Sequence, residues 1–196
     1  RRGFVLGLGA LGLAPQGSAQ ERLAFPLKVA AGAELRATKA EVYDPAYVVL
    51  SYPMGDVADD RGVCTDTVIR AFRHAGVDLQ VKVHEDMAAN FGVYPKMWGL
   101  KKPDRNIDHR RVPNLETYFK RKGGAKTLST VAADYRAGDI VSWRLRGGGL
   151  PHIGVVTRKT QGGQPLIAHN IGAGTREEAC LFDWPMSGWF RFESWS

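Results

Sequence analysis

The chain has 196 residues, two of them cysteine, and 44% of its side chains are hydrophobic against 24% charged. That describes one ordinary globular domain with room for a short leader, and it excludes a disordered tail, a disulfide-built miniprotein and a polytopic membrane protein. Lys and Arg number 27 against 20 Asp and Glu, a formal net charge of +7, which favours anionic partners such as nucleic acid, anionic lipid or an acidic cell-wall polymer without choosing among them.

Arg1 and Arg2 precede an uncharged apolar run from Phe4 to Ala14, and Gly17-Ser18-Ala19 follows it. A basic start, a short apolar run and a small-residue exit form the pattern of a secretory signal, and Arg-Arg-x-Phe-Val-Leu resembles a twin-arginine export signal. The run is too short to span ~30 Å of hydrocarbon. The expected organisation is a signal peptide over 1–19, an N-terminal helical extension over 20–41 and the functional domain over 42–196. A periplasmic or secreted monomer with no integral membrane span after leader removal is expected. Export bears on the cysteines. An oxidising compartment usually pairs two of them, so Cys64 and Cys180 either form a disulfide or are kept apart because a thiol is used. Cys180 sits in the apolar run Ala179-Cys180-Leu181-Phe182 and reads as inert.

Residues 28–40 read as a helix packing against the domain, and 42–52 as an extended segment turning at Asp44-Pro45. Residues 53–62 form a polar loop. A helix is expected over 63–74, with Val63, Val68, Ala71, Phe72 and Ala75 on its apolar face and Gly76 ending it. A second short helix is expected over 82–91. Residues 92–113 have no period and read as a long structured loop. Asn114 opens a helix to Lys122, closed by Gly123-Gly124. The last third changes character. Asp139–Trp143, Ile153–Val156, Pro165–Ala168 and Gly188–Glu193 are short apolar or alternating runs bounded by Gly or Pro, and read as strands of an antiparallel sheet. Helices first and strands after make an α+β domain, helices packed on a C-terminal sheet.

The chemistry lies in three places. Cys64 begins a helix after a glycine-bearing loop, where free backbone N–H groups and the helix dipole favour a thiolate and can receive an oxyanion. His152 stands at the entrance of an apolar strand. His169 ends the next expected strand, and if the two strands form a hairpin it can fix the tautomer of the first imidazole. Each signal has a bland reading as core or capping, but together they make a cysteine-nucleophile constellation. Around it, Tyr52 is a candidate cleft residue or a core aromatic. Asp56, Arg61 and Asp66 are candidates for peptide termini or a network holding the loop. His109, beside Arg110 and Arg111, is a candidate contact for an anionic substrate. His84-Glu85-Asp86 lacks a ligand pair on one helix face, so no metal and no cofactor are expected. No basic–aromatic repeat or zinc spacing supports nucleic-acid binding.

The helix-borne Cys, Gly-Asp-Ile-Val strand, His-Ile-Gly-Val strand and His on the following strand resemble the NlpC-type branch of papain-like cysteine peptidases. The runs YDPAYVVLSYPMGDVADDRGVCTDTVIRAF, VHEDM, YPKMWGLKKPDRNIDHRRVPNL, AGDIVSWRL, PHIGVV and HNIGAG more closely resemble a bacterial secreted family labelled domain of unknown function 1287. The resemblance covers roughly residues 42–192. It implies a papain-like fold and hydrolysis of amide bonds in peptidoglycan or another cell-wall peptide, through a thioester acyl-enzyme. By position it makes Cys64 the nucleophile, His152 the general base and His169, rather than Asn170, the orienting group. NlpC-type enzymes carry Asp-Cys-Ser-Gly where this chain has Val63-Cys64-Thr65-Asp66. Acyl transfer with the same triad and a non-catalytic cell-wall binding module are the competing readings.

Overall fold

The computed structural model describes residues 23–195. The expected signal peptide lies outside the described residues. Helix α1 (Phe25–Ala37) has Pro26 in its first turn, where a missing N–H costs no hydrogen bond. It buries Val29, Ala30 and Ala33 against α2 (Cys64–His74). Gly32 allows that approach, since a Cβ there would stand 2.7 Å from His74 Cβ. The segment expected as an extension therefore contributes to the main core.

Helix α3 (Leu79–Asn90) starts ahead of its expected first residue because Asp78 caps it, its carboxylate accepting from the Gln80 N–H at 3.0 Å. Helix α4 (Val112–Arg121) likewise starts before Asn114, with Pro113 in its first turn. Asn114 is buried inside and donates to the Asp108 carbonyl at 3.0 Å. The aperiodic stretch between α3 and α4 carries short 3-10 turns at Phe91–Val93, Met97–Gly99 and Asp108–Arg110.

The expected extended segment pairs only over two residues. Strand β1 (Val42–Tyr43) runs parallel to β2 (Arg61–Gly62), and Asp44-Pro45 ends it, with the Asp44 carboxylate accepting from the Ala46 N–H at 3.0 Å. The main sheet holds β3 (Ile140–Leu145), β4 (Leu150–Gln161), β5 (Gln164–Asn170), β6 (Thr175–Glu178) and β7 (Met186–Phe190). It is antiparallel, in the order β6-β5-β4-β3-β7. Period-two alternation gives it two apolar faces. Ile140, Ile153, Val155, Ala168 and Phe190 meet the helices. Val141, Trp143, Val156, Ile167 and Trp189 meet Tyr135, Cys180 and Leu181 on the other side. Strand β4 outruns its expected apolar stretch because its exposed polar second half continues into a hairpin turning at Gly162-Gly163, both at positive φ. Among the described residues no helix is long and apolar enough to cross a membrane.

Candidate active site

Strand β2 delivers the chain into Val63, the N-cap of α2, and Cys64 is that helix's first residue. Two contacts hold this helix start. The Asp66 carboxylate accepts from the Val63 N–H at 2.7 Å. It also accepts from Arg110 Nε at 2.9 Å and Arg110 Nη2 at 3.0 Å, and both side chains are buried. Arg110 in turn donates to the Ala46 carbonyl, and Thr65 Oγ1 donates to the Arg110 carbonyl. The loop before α4, the chain after β1 and the start of α2 are thus tied together beneath the thiol. Cys64 itself is 7% exposed. Burial pushes its thiol up to about 12, against the opposing pull of backbone N–H groups led by that of Ile153.

His152, near the start of β4, and His169, near the end of β5, meet across the hairpin. His152 Nε2 lies 2.8 Å from His169 Nδ1. The other nitrogen of His169, Nε2, lies 2.9 Å from Glu178 Oε2 on β6. Cys180 Sγ lies 3.4 Å from the same Nε2. Trp143 stacks on His152 at 5.7 Å between ring centroids, and Trp184 sets its edge against both imidazoles. Burial, with the neighbouring His169, lowers His152 to about 3. Burial also lowers His169, against the opposing Glu178 carboxylate. Both rings are therefore neutral at neutral pH, and the hydrogen bonds then fix their tautomers. The carboxylate of Glu178 only accepts, so His169 Nε2 carries a proton and its Nδ1 accepts. His152 Nε2 must then be the N–H, which leaves His152 Nδ1 with a free lone pair.

Two cavities open on Cys64. One, of about 580 Å³, is lined by Cys64, His152, Asn170, Tyr43, Arg146 and Trp184 among others. The second, of about 450 Å³, is lined by Cys64, Thr65, Tyr43, Tyr47, Trp98, Arg110 and Arg111 among others. The structure thus brings Cys64 and His152 to one cavity and joins His169 to His152. Asn170 lines the same cavity, but its amide is held by other groups, donating to the Gly62 carbonyl at 3.3 Å and accepting from the Gly172 N–H. A helix that opens on a cysteine is thus packed against the strands that carry the two histidines. Both cysteines are free.

The five candidate substrate residues line neither cavity. Tyr52 meets His84 edge-on at 5.6 Å. Asp56 pairs with Arg70 and Arg73. Arg61 pairs with Asp44 and Asp60. Asp66 is the buried clamp on α2. His109 is 2% exposed, and burial lowers it to about 3. These residues hold the loops that frame the cysteine. Sequence reasoning raises Trp98 and Trp184 as stacking candidates weaker than core residues and Arg111 only as a neighbour of His109, and it does not single out Tyr43, Tyr47, Arg146 or Glu178. Tyr43 and Tyr47 lie in the quoted YDPAYVVLSY run, where three tyrosines at close spacing give no means of choosing. Glu178 lies on β6, a charged edge strand with no apolar pattern. Among the described residues no group of His, Cys, Asp and Glu is arranged to hold a metal ion.

Residues 30–192 match the family described as "Domain of unknown function (DUF1287)". The sequence is 57% identical over 167 residues to "Uncharacterized protein YijF" of Escherichia coli (strain K12), covering 85% of this chain and 81% of that one. Among solved structures it is similar to NlpC1 from Trichomonas vaginalis, at 14% identity and a TM-score of 0.46, covering 86% of this chain and 44% of that one. NlpC2 from the same organism matches at 16% identity and a TM-score of 0.45, over 91% of this chain and 51% of that one. The chain spans about half the length of these two structures.

Proposed function

Because the chain belongs to the family of domain of unknown function DUF1287, which assigns no chemistry, we propose from the site itself that it is a cysteine hydrolase of amide bonds, acting on cell-wall stem peptides. One observation carries the reading: the hydrogen-bonded series Glu178–His169–His152 ends in an imidazole that lines the same cavity as Cys64. A neutral imidazole with a fixed tautomer and an open lone pair is the competent form of a general base. A structural histidine pair in a core gains nothing from a thiol at a helix start beside it.

In this mechanism His152 Nδ1 takes the proton of Cys64 as Sγ attacks the amide carbonyl, forming the C–S bond and a tetrahedral oxyanion. The Cys64 backbone N–H, free at the first turn of α2, donates to that oxygen. The imidazolium formed on His152 is stabilised through His169 by Glu178. It then protonates the leaving amine as the C–N bond breaks. Water, deprotonated by His152, attacks the thioester, and the thiol is released. Burial disfavours charge on both Cys64 and His152, which favours proton transfer in the same step as attack.

Cell-wall peptide as substrate is supported by the export pattern of the first residues and by a cavity pair lined with arginines and aromatics but no carboxylate. The test is release of soluble peptide from dye-labelled sacculi by the wild type, Cys64→Ala and His152→Ala. Release by the wild type alone is expected. Equal release by Cys64→Ala would sink the reading.

A further inference from the structure

The second cavity at Cys64 is lined by a cation that forms no close ion pair among the described residues. Arg111 lines it, and its Nη1 is buried with no hydrogen-bond partner. Its guanidinium lies over the Trp98 ring at 4.2 Å, so one flat face is occupied, while no protein group among the described residues hydrogen-bonds its donating edge. Asp108 and Asp104 act on it through space without forming an ion pair, and Asp108 Oδ1 is itself buried without a partner. Asp104 accepts from Tyr47 Oη at 3.0 Å and from the Asn106 N–H at 2.9 Å. Asp108 accepts from the Asp104 N–H. Arg111 forms no ion pair among the described residues, in contrast to its neighbour Arg110, which Asp66 binds in a bidentate pair. A half-buried guanidinium left unpaired is expensive to the fold, because its lost hydration is not repaid.

Trp98 adds an independent sign. It is a bulky residue at φ 61, a left-handed conformation that is strained for such a side chain and clusters at ligand sites. It is 52% exposed, yet its ring is spent on Arg111 rather than on the core. The surrounding segment therefore holds a strained backbone while it presents a stacked cation beside the thiol. A planar guanidinium on an aromatic plate, edge open, is suited to a carboxylate, which it binds through two parallel N–H···O bonds.

We propose that Arg111, backed by Trp98, is a carboxylate-binding subsite for the peptide whose amide bond is presented to Cys64. The proposal rests on the hydrolase reading for its purpose but not for its test. The carboxylate is a peptide's C-terminus or an acidic side chain, and the probes separate the two. Binding of N-acetyl-Ala-Ala, N-acetyl-Glu-Ala-amide and N-acetyl-Ala-Ala-amide is measured calorimetrically on the Cys64→Ala protein, with and without Arg111→Gln. At least one carboxylate peptide should bind about tenfold or more tightly than the neutral one, and whichever does names the source. Arg111→Gln should reduce that ratio to about one, and Arg111→Lys, which keeps the charge but loses the fork, should fall between. Equal binding of all three peptides, or a preference that survives in Arg111→Gln, would overturn the subsite. Should the Arg111→Gln substitution perturb folding, as read from its melting curve, Trp98→Ala supplies the same comparison by removing only the plate. A carboxylate preference in a protein that leaves sacculi intact would keep the subsite and defeat the hydrolase reading. Digestion without the preference would do the reverse.

Discussion

At the level of single residues, the account turns on where protons sit. His152, lowered to about 3 by burial and by its histidine neighbour, stays an unprotonated base through the mildly acidic range. The acid limb of kcat/KM should therefore fall below pH 5. A midpoint near 6.5 in the pH–rate profile would show that the imidazole is not buried as described. Glu178 acts through His169, so it is a positioning residue. Glu178→Gln keeps the size but lets an amide N–H₂ face His169 Nε2, breaking the proton order that leaves His152 Nδ1 free. The loss of one charge-assisted hydrogen bond, about 1.5–3 kcal/mol, predicts a ten- to hundredfold fall in kcat with KM little changed. Steady-state kinetics checks this, and unchanged kcat would remove Glu178 from the mechanism. Cys64, His152 and His169 are legible in the sequence because each sits at the edge of a periodic apolar run. Glu178 and Arg111 are not, because nothing local marks a charged residue on an edge strand or in an aperiodic loop as reaching the site.

Elements place these residues, and two contacts matter most. The Asp66–Arg110 pair is buried and fixes the start of α2 to the loop before α4. Asp66→Ala leaves Arg110 a buried charge without a partner, so denaturant unfolding should show a loss of about 3–5 kcal/mol. A loss under about 1 kcal/mol, the range of an exposed pair, would contradict the clamp. The β4–β5 hairpin carries the histidines. At Gly154 a Cβ would stand 2.7 Å from Ile167 Cγ2, 3.0 Å from the Ala168 carbonyl and 3.1 Å from His169 Cβ. Gly154→Ala should cost about 1–3 kcal/mol through overpacking and reduce turnover beyond what that loss of folded protein explains. Normal turnover at normal stability would mean that the hairpin tolerates the shift. Alternation and Gly162-Gly163 announce the hairpin in the sequence, yet β6 stays hidden because an edge strand need not alternate. The helix starts shift because Asp78 and Pro113 define them more strongly than the apolar period does.

Across the whole molecule, buried histidines make stability depend on pH. His109 and His152 are lowered to about 3, and His169 is lowered too. In the unfolded chain these imidazoles take up protons near 6.5, so below that pH the unfolded state binds more protons and stability falls as pH drops toward 3. Asp108, raised to about 6 by burial, works against this: between the ordinary carboxylate range and 6 the folded state holds the extra proton. One carboxyl opposes three imidazoles, so the melting temperature should be lower at pH 4.5 than at pH 7. An equal or higher value would contradict the burial of the histidine series. The α+β class, helices before sheet, is legible from the change of period along the chain. The packing of α1 on the domain is legible too, but its partner α2 and the close approach at Gly32 are not, because small residues mark no particular neighbour.

The central claim is that Cys64 carries an amide hydrolysis. Digestion of purified sacculi in 18O-labelled water by the wild type and by Cys64→Ala, with fragments read by mass spectrometry, tests it most directly. New peptide carboxylates bearing one 18O atom are expected from the wild type and none from the variant. Fragments from both proteins, or wild-type products lacking the label, would contradict it, the latter by showing that the acyl group passes to an acceptor other than water.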